Sequence, residues 1–208
     1  MRKTLSKIKA VVNKIKQWLF LVSLFYSKDR FLVQSFTIRE QELICPEAIT
    51  SRISTANRKK LIDYLKQHVS RKLNAEHKLR GLKLPVDLRP YQEAYAPDSE
   101  LLYKALEQRI EQNLAWEETE WYQKCVKTVA NGKPIWNGCK DTADIKNACM
   151  RADKLIESIK QKGFVKNNHP VNVARTSNTY CKIGNGQHRI MIAKILNQKL
   201  WVRVVFEV

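Results

Sequence analysis

The chain has 208 residues, 44% hydrophobic and 28% charged, which excludes a disordered or low-complexity polymer and leaves room for one domain with a sizeable core. Thirty-eight Lys and Arg oppose 20 Asp and Glu, a net charge of +18, so the expected partner is anionic: nucleic acid, an anionic lipid surface or a phosphorylated substrate. The five cysteines, Cys45, Cys125, Cys139, Cys149 and Cys181, are odd in number and lack C-x-x-C spacing, which argues against a disulfide framework or a zinc site and for free thiols in a reducing cytoplasm.

Residues 3–26 read as a basic amphipathic helix. Leu5, Ile8, Val11, Val12, Ile15, Trp18, Leu19, Val22 and Phe25 recur at three- and four-residue steps. Arg2, Lys3, Lys7, Lys9, Lys14, Lys16 and Lys28 supply charge, and no acid precedes Asp29. The apolar run from Trp18 to Tyr26 is shorter than the roughly 20 residues that span a bilayer, and no small-residue cleavage site follows it. Residues 1–28 are therefore expected to lie on an anionic membrane surface, placing the protein in the cytoplasm on the inner face of the membrane. Packing of this helix on the protein's own core is the alternative, with nucleic-acid contact behind both.

Residues 29–97 read as a helical extension and connector. Phe31–Ile38 is rich in β-branched and aromatic residues and suits a strand. Cys45-Pro46 marks a turn. Ser54 or Thr55 is expected to cap a helix running to Leu73, with Leu61, Leu65, Val69 and Leu73 on one face. Asn74–Pro97 holds Pro85, Pro90 and Pro97 and little periodicity, so the domain boundary is expected there.

Residues 98–208 form the expected second unit. Asp98 or Ser99 should cap a helix to about Asn113, with Leu102, Ala105, Leu106 and Ile110 inward. Trp116-Glu117-Glu118-Thr119-Glu120-Trp121-Tyr122 follows, an acidic, aromatic cluster in a basic chain. Its carboxylates, Glu117 and Glu120 first among them, are candidate general bases if the fold brings them to a substrate; a solvated helix face over two core tryptophans is the plainer reading. Asn131-Gly132-Lys133-Pro134 and Asn137-Gly138 signal turns around Ile135-Trp136. Asp141 or Thr142 should cap a helix whose core stripe is Ile145, Ala148, Cys149, Ala152, Leu155, Ile156 and Ile159, ended by Gly163. Arg151 and Asp153 stand on its other side, within reach of a ligand. His169 before Pro170 reads as a loop residue.

Val171–Arg175 and Thr179–Ile183 read as short strands, and Leu200–Val208 as a central strand, with Val202, Val204, Phe206 and Val208 on one face. Between the last two lies Lys182-Ile183-Gly184-Asn185-Gly186-Gln187-His188-Arg189-Ile190, a strand end, a glycine turn and a helix start. Glycine and asparagine tolerate positive φ, and Ile190, Ala193 and Leu196 recur at helical spacing. The free N–H groups of such a helix start can hold an anion. Cations at His188 and Arg189 conflict with the helix dipole unless a phosphate sits there. An ordinary strand–turn–helix with a solvated Arg explains the spacing equally well.

From about Arg151 to Val208 the chain resembles the ParB/sulfiredoxin superfamily. The resemblance rests on Leu155, Ser158, Ile159, Gly163 and Phe164, on Val171, Val173, Tyr180 and Ile183, then on Gly186-x-His188-Arg189, Ala193 and Leu196, and on Val202 and Val204. It implies that Gly184, Asn185, Gly186, Gln187, His188 and Arg189 lie on nucleotide phosphates. Many relatives carry Asp where Asn185 stands, so a carboxylate that helps hold a metal is missing. Sulfiredoxins carry a reactive Cys where Gln187 stands, so sulfinic-acid repair is not expected. The elements Trp116-Glu117-x-Thr119-x-x-Tyr122 and Asp141–Phe164 resemble ParB-like proteins associated with bacterial cell-surface glycan clusters.

The expected fold is α+β, a small mixed sheet of ParB/sulfiredoxin type with packed helices. The leading expectation is a nucleotide-dependent, kinase-like phosphotransferase. ATP or another nucleoside phosphate would lie on 184–189 with Mg²⁺ bridging its oxygens, and Glu117, Glu120, Asp153 and His188 are the catalytic candidates. No protein metal ligand is expected. By the resemblance, the acceptor is a cell-surface glycan or its lipid-linked precursor. A nucleotide-gated DNA-binding protein ranks second, because no helix-turn-helix domain follows the turn. A scaffold that binds a nucleotide without turnover is the third reading.

Overall fold

A computed structural model describes residues 41–68, 82–83, 87–136, 138–166, 170–176 and 178–207. The expected helix at 3–26, the strand at 31–38, residues 74–81 and 84–86 of the proline-rich connector, and His169 fall outside them. The fold is α+β. The strands are β1 (Gln41–Ile44), β2 (Ile49–Ile53), β3 (Leu82–Lys83), β4 (Glu93–Ala94), β5 (Val171–Arg175), β6 (Tyr180–Ile183) and β7 (Leu200–Glu207). The helices are α1 (Thr55–His68), α2 (Leu101–Glu111), α3 (Glu120–Ala130), α4 (Thr142–Lys162) and α5 (Gln187–Ile195). The sheet is mixed, in the order β1-β7-β5-β6-β2-β4, with β3 also on β7. Among the described residues no helix is long and apolar enough to cross a membrane.

The boundary expected in 74–97 does not separate two units. β2 runs parallel to β6, β4 runs antiparallel to β2, and β1 runs antiparallel to β7, so strands from both sides of Pro97 share one sheet. Side chains reinforce the join: Tyr180 Oη donates to Glu42 Oε2 at 2.7 Å, and Glu42 also pairs with Arg175. Two of the proline signals are real turns, and Pro85 lies outside the described residues. Pro90 and Pro97 each sit in the first turn of a 3₁₀ helix, Arg89–Tyr91 and Pro97–Ser99, where a missing N–H costs nothing. They punctuate the domain without dividing it.

Helix starts follow the capping chemistry. Ser54 Oγ accepts from Asn57 N at 3.3 Å, and Asp141 accepts from Asp144 N at 2.8 Å. Gly163, at φ 66°, ends α4. The start of α2 is different. The 3₁₀ turn at Pro97–Ser99 delays the helix to Leu101, so Glu100 takes the cap position that Asp98 or Ser99 was expected to fill. The Glu100 side chain does not cap; it is used elsewhere. β7 also departs from strict alternation. Its ladder with β5 slips by one residue between Val173–Val204 and Ala174–Phe206, and Val205, not Val204, is buried.

Two clusters of the core meet at α5. One gathers α2, α3 and α4 through Leu106, Trp121, Cys125, Ile145 and Ile156, and takes Met191 and Ile192 from α5. The other lies on the sheet through Ile49, Val171, Val173 and Val202, and takes Ile190 and Ala193. All four of these α5 residues are fully buried, so Met191 widens the apolar stripe that was expected from Ile190, Ala193 and Leu196 with Ile192 beside them. Four of the five cysteines are buried and all five are free. Burial pushes the Cys149 thiol up to about 12, which fits its reading as core.

Candidate functional site

β6 ends and α5 begins at the glycine turn. Gly184 and Gly186 have φ of 71° and 116°, and Asn185 is exposed between them. The first α5 amide bonded within the helix is Ile190 N, to Gly186 O at 3.2 Å. The amides of Gln187, His188 and Arg189 therefore start the helix without a partner in it. A side chain at Gly186 has no room: a Cβ there would stand 2.8 Å from Val171 Cγ2. Packing of the turn on β5 and its backbone angle both require glycine at that position.

The turn forms one side of a cleft of about 400 Å³. Gly184 to Arg189 all line it, as do Lys182 from β6 and Arg151 from α4. Leu102, Ala148, Ala152 and Leu155 give it an apolar wall, and Trp136 joins that wall to His188. Lys182 is buried, Arg189 half-buried and Arg151 exposed. Among the described residues none of these three cations is in an ion pair. Burial lowers the pKa of Arg189, although a guanidinium stays charged, and burial with neighbouring Arg52 lowers that of Lys182. Three cations without an ion-pair partner among the described residues, beside the free N–H groups of a helix start, give this end of the cleft a positive character.

His188 does not add a fourth charge. The Trp136 indole N–H donates to His188 Nε2 at 2.6 Å, which requires that nitrogen to be unprotonated and leaves the proton on Nδ1. Burial, then the charge of Arg189, hold the imidazole below its ordinary pKa, and the Trp136 bond acts in the same direction. Trp136 is fixed in turn. It has φ 37°, it follows Ile135, whose N–H bonds Cys139 O at 3.0 Å, and its ring stands edge-on to Trp121 at 4.5 Å. Because the folded state resists protonating His188, stability should fall as pH drops below the unfolded imidazole value of about 6.5. Replacing Trp136 with Phe removes the donor that favours the neutral ring. The His188 pKa should then rise toward the ordinary value, read by NMR titration of its ring signals; an unchanged or lower pKa would show that the bond does not hold the tautomer.

The acidic candidates lie elsewhere. Glu117, Glu118 and Glu120 are exposed, and neither they nor Asp153 line the cleft. Glu118 closes a cap on Ala115 N at 3.0 Å. The Trp116, Thr119 and Tyr122 of the signature point inward: all three are buried, Thr119 Oγ1 donates to Trp116 O at 2.7 Å, and it accepts from Tyr122 N at 3.2 Å. This element is a helix cap over a tryptophan core. Asp153 accepts from Arg109 Nε at 2.9 Å and from Trp116 Nε1 at 3.0 Å, joining α2, the 3₁₀ turn Trp116–Glu118 and α4. Asp153→Ala should therefore cost about 1–2 kcal/mol in denaturant unfolding, at the low end because the Arg109 and Asp153 side chains are 27% and 34% exposed and water screens them. Ligand affinity should not change; a native-like melt with lost affinity would return Asp153 to the site.

Two residues at the turn escaped sequence reading. Glu100 accepts from Gln187 Nε2 through one oxygen and from Arg52 through the other at 3.1 Å, which anchors the turn to β2 and to the start of α2. Its role depends on an 87-residue separation that no local pattern reveals. Lys182 had a signal: a lysine between Cys181 and Ile183, both buried core residues of the strand.

Searched against family models, curated proteins and solved structures, the chain matches none. The site is therefore read from its own residues. Among the described residues no group of three His, Cys, Asp or Glu is placed to hold a metal ion, and no carboxylate lines the cleft. A Mg²⁺ site built of protein carboxylates does not fit here.

Proposed function

We propose that this protein binds a nucleoside phosphate in the cleft, as a domain of the ParB/sulfiredoxin type. One observation carries the reading: Arg189, Lys182 and Arg151 reach the same cleft without an ion-pair partner among the described residues, around a glycine turn that starts a helix. Phosphate answers the charge and the free amides together. The apolar wall of Leu102, Ala148, Ala152 and Leu155, with the Trp136 ring, gives a nucleoside a surface to lie on that bare phosphate would not use. A cleft of about 400 Å³ is of the size that holds a small-molecule ligand.

Binding without transfer is the form that the geometry favours, because Glu117, Glu120 and Asp153 are away from the turn. Phosphoryl transfer is the second reading. Glu100 is what supports it, as a carboxylate held against Gln187 of the turn. A glycan or lipid-linked acceptor at the membrane belongs to that reading. Calorimetric titration with ATP, CTP, GTP and ADP, each with Mg²⁺, tests the proposal, and at least one should bind with measurable heat. No heat and an unmoved melting temperature with all four would sink it.

A further inference from the structure

We infer that Lys182 is an anion-binding residue of the cleft, placed to contact the phosphate beside the glycine turn. The inference rests on the phosphate reading above, which counts Lys182 among the cations of the cleft, and gives that lysine a direct contact with the ligand. Lys182 stands on β6, between β5 and β2, where its neighbours Cys181 and Ile183 are core residues. Its side chain is held almost wholly from water, at 7% exposure. An ammonium has three donors. One goes to Gly184 O at 2.7 Å, and the Tyr95 ring lies 5.7 Å away. No carboxylate is in an ion pair with it among the described residues.

A strand position of this kind is filled at less cost by Val, Ile or Met. Arg52 from β2 and Arg58 from α1 add repulsion, and Glu100 offsets it only from a distance, since its oxygens serve Arg52 and Gln187. Burial disfavours the charged form, so the apo fold carries a group that weakens it. Uncompensated charge of this sort is retained where a ligand compensates it. Lys182 lines the cleft, and its ammonium holds a carbonyl of the turn that lines it too. The phosphate of a nucleotide and free pyrophosphate offer it the same oxygens.

The two roles for Lys182 predict opposite signs. A structural lysine stabilises the free protein; a ligand-binding lysine left uncompensated does not. Lys182→Met and Lys182→Gln remove the charge and keep similar bulk. Both variants should melt at or above the wild-type temperature without ligand. Both should bind at least tenfold more weakly to whichever of ATP, CTP, GTP and ADP binds the wild type, the loss expected for one charged donor. Inorganic pyrophosphate, titrated in parallel, shows whether the phosphate alone carries the effect: a matching loss assigns the contact to phosphate, and an undiminished pyrophosphate affinity overturns that assignment. A variant that melts lower than wild type, or that binds the nucleotide as tightly, overturns the inference. If Arg189→Ala weakens binding and the Lys182 variants do not, the site stands and Lys182 leaves it. If the wild type binds none of the panel, both readings fall.

Discussion

Gly186→Ala should destabilise the protein by about 2–5 kcal/mol, the largest loss expected from adding a single methyl group to this fold. Two costs add. At φ 116° an L-residue is strained by roughly 1–2 kcal/mol. The new Cβ would also stand 2.8, 3.1 and 3.3 Å from Val171 Cγ2, Cγ1 and Cβ, where β5 cannot give because Val171 is itself in the sheet core. Overpacking of that kind costs about 1–3 kcal/mol. The melting temperature should fall by about 2–4 °C for each kcal/mol in a chain of this size. A double-mutant cycle with Val171→Ala separates the terms: room made at Val171 should recover the packing part and leave the backbone part. Equal cost in both backgrounds would mean that the clash is not felt and that φ alone decides.

Arg189→Ala should weaken nucleotide binding by more than tenfold with little change in stability. Arg189 is half-buried and has no ion-pair partner among the described residues, so its removal leaves no carboxylate stranded. Its burial already lowers its own pKa, a sign that the fold gains little from its charge. A hydrogen bond to a charged phosphate is worth roughly 1.5–3 kcal/mol, about tenfold or more in affinity. Arg189→Lys should recover only part of the loss, because a point charge replaces a planar fork. Unchanged affinity in Arg189→Ala would place the ligand away from the turn, even if a nucleotide binds.

The sequence carried local chemistry well and distant chemistry poorly. Caps at Ser54 and Asp141, the stop at Gly163 and the strand Val171–Arg175 were legible because each depends on neighbours within a few residues. The glycine turn was legible for the same reason. The acidic cluster misled because carboxylates beside tryptophans read as chemistry. Only the fold shows that Trp116 and Thr119 face inward as a cap while Glu117 and Glu120 face water. Asp153 misled in the opposite way: its place on α4 suggested reach toward a ligand, and Arg109, 44 residues earlier, took it. β1 and β2 were missed because their sequences carry polar residues at half or more of their positions, and what stabilises them is pairing with β7 and β6 near the other end of the chain.

That pairing has a consequence for synthesis of the protein. β7 lies against β1 and β3 on one side and β5 on the other, so these strands share a partner that the ribosome delivers after all of them. Until residues 200–207 emerge, β1 and β5 have unpaired edges. α5, a few residues earlier, cannot close the sheet-side core without Leu200 and Val202. The helices α2, α3 and α4 can collapse locally as they are made, but the sheet is a late and non-local event. The cleft draws one wall from each part, so it comes into being only after translation of β7.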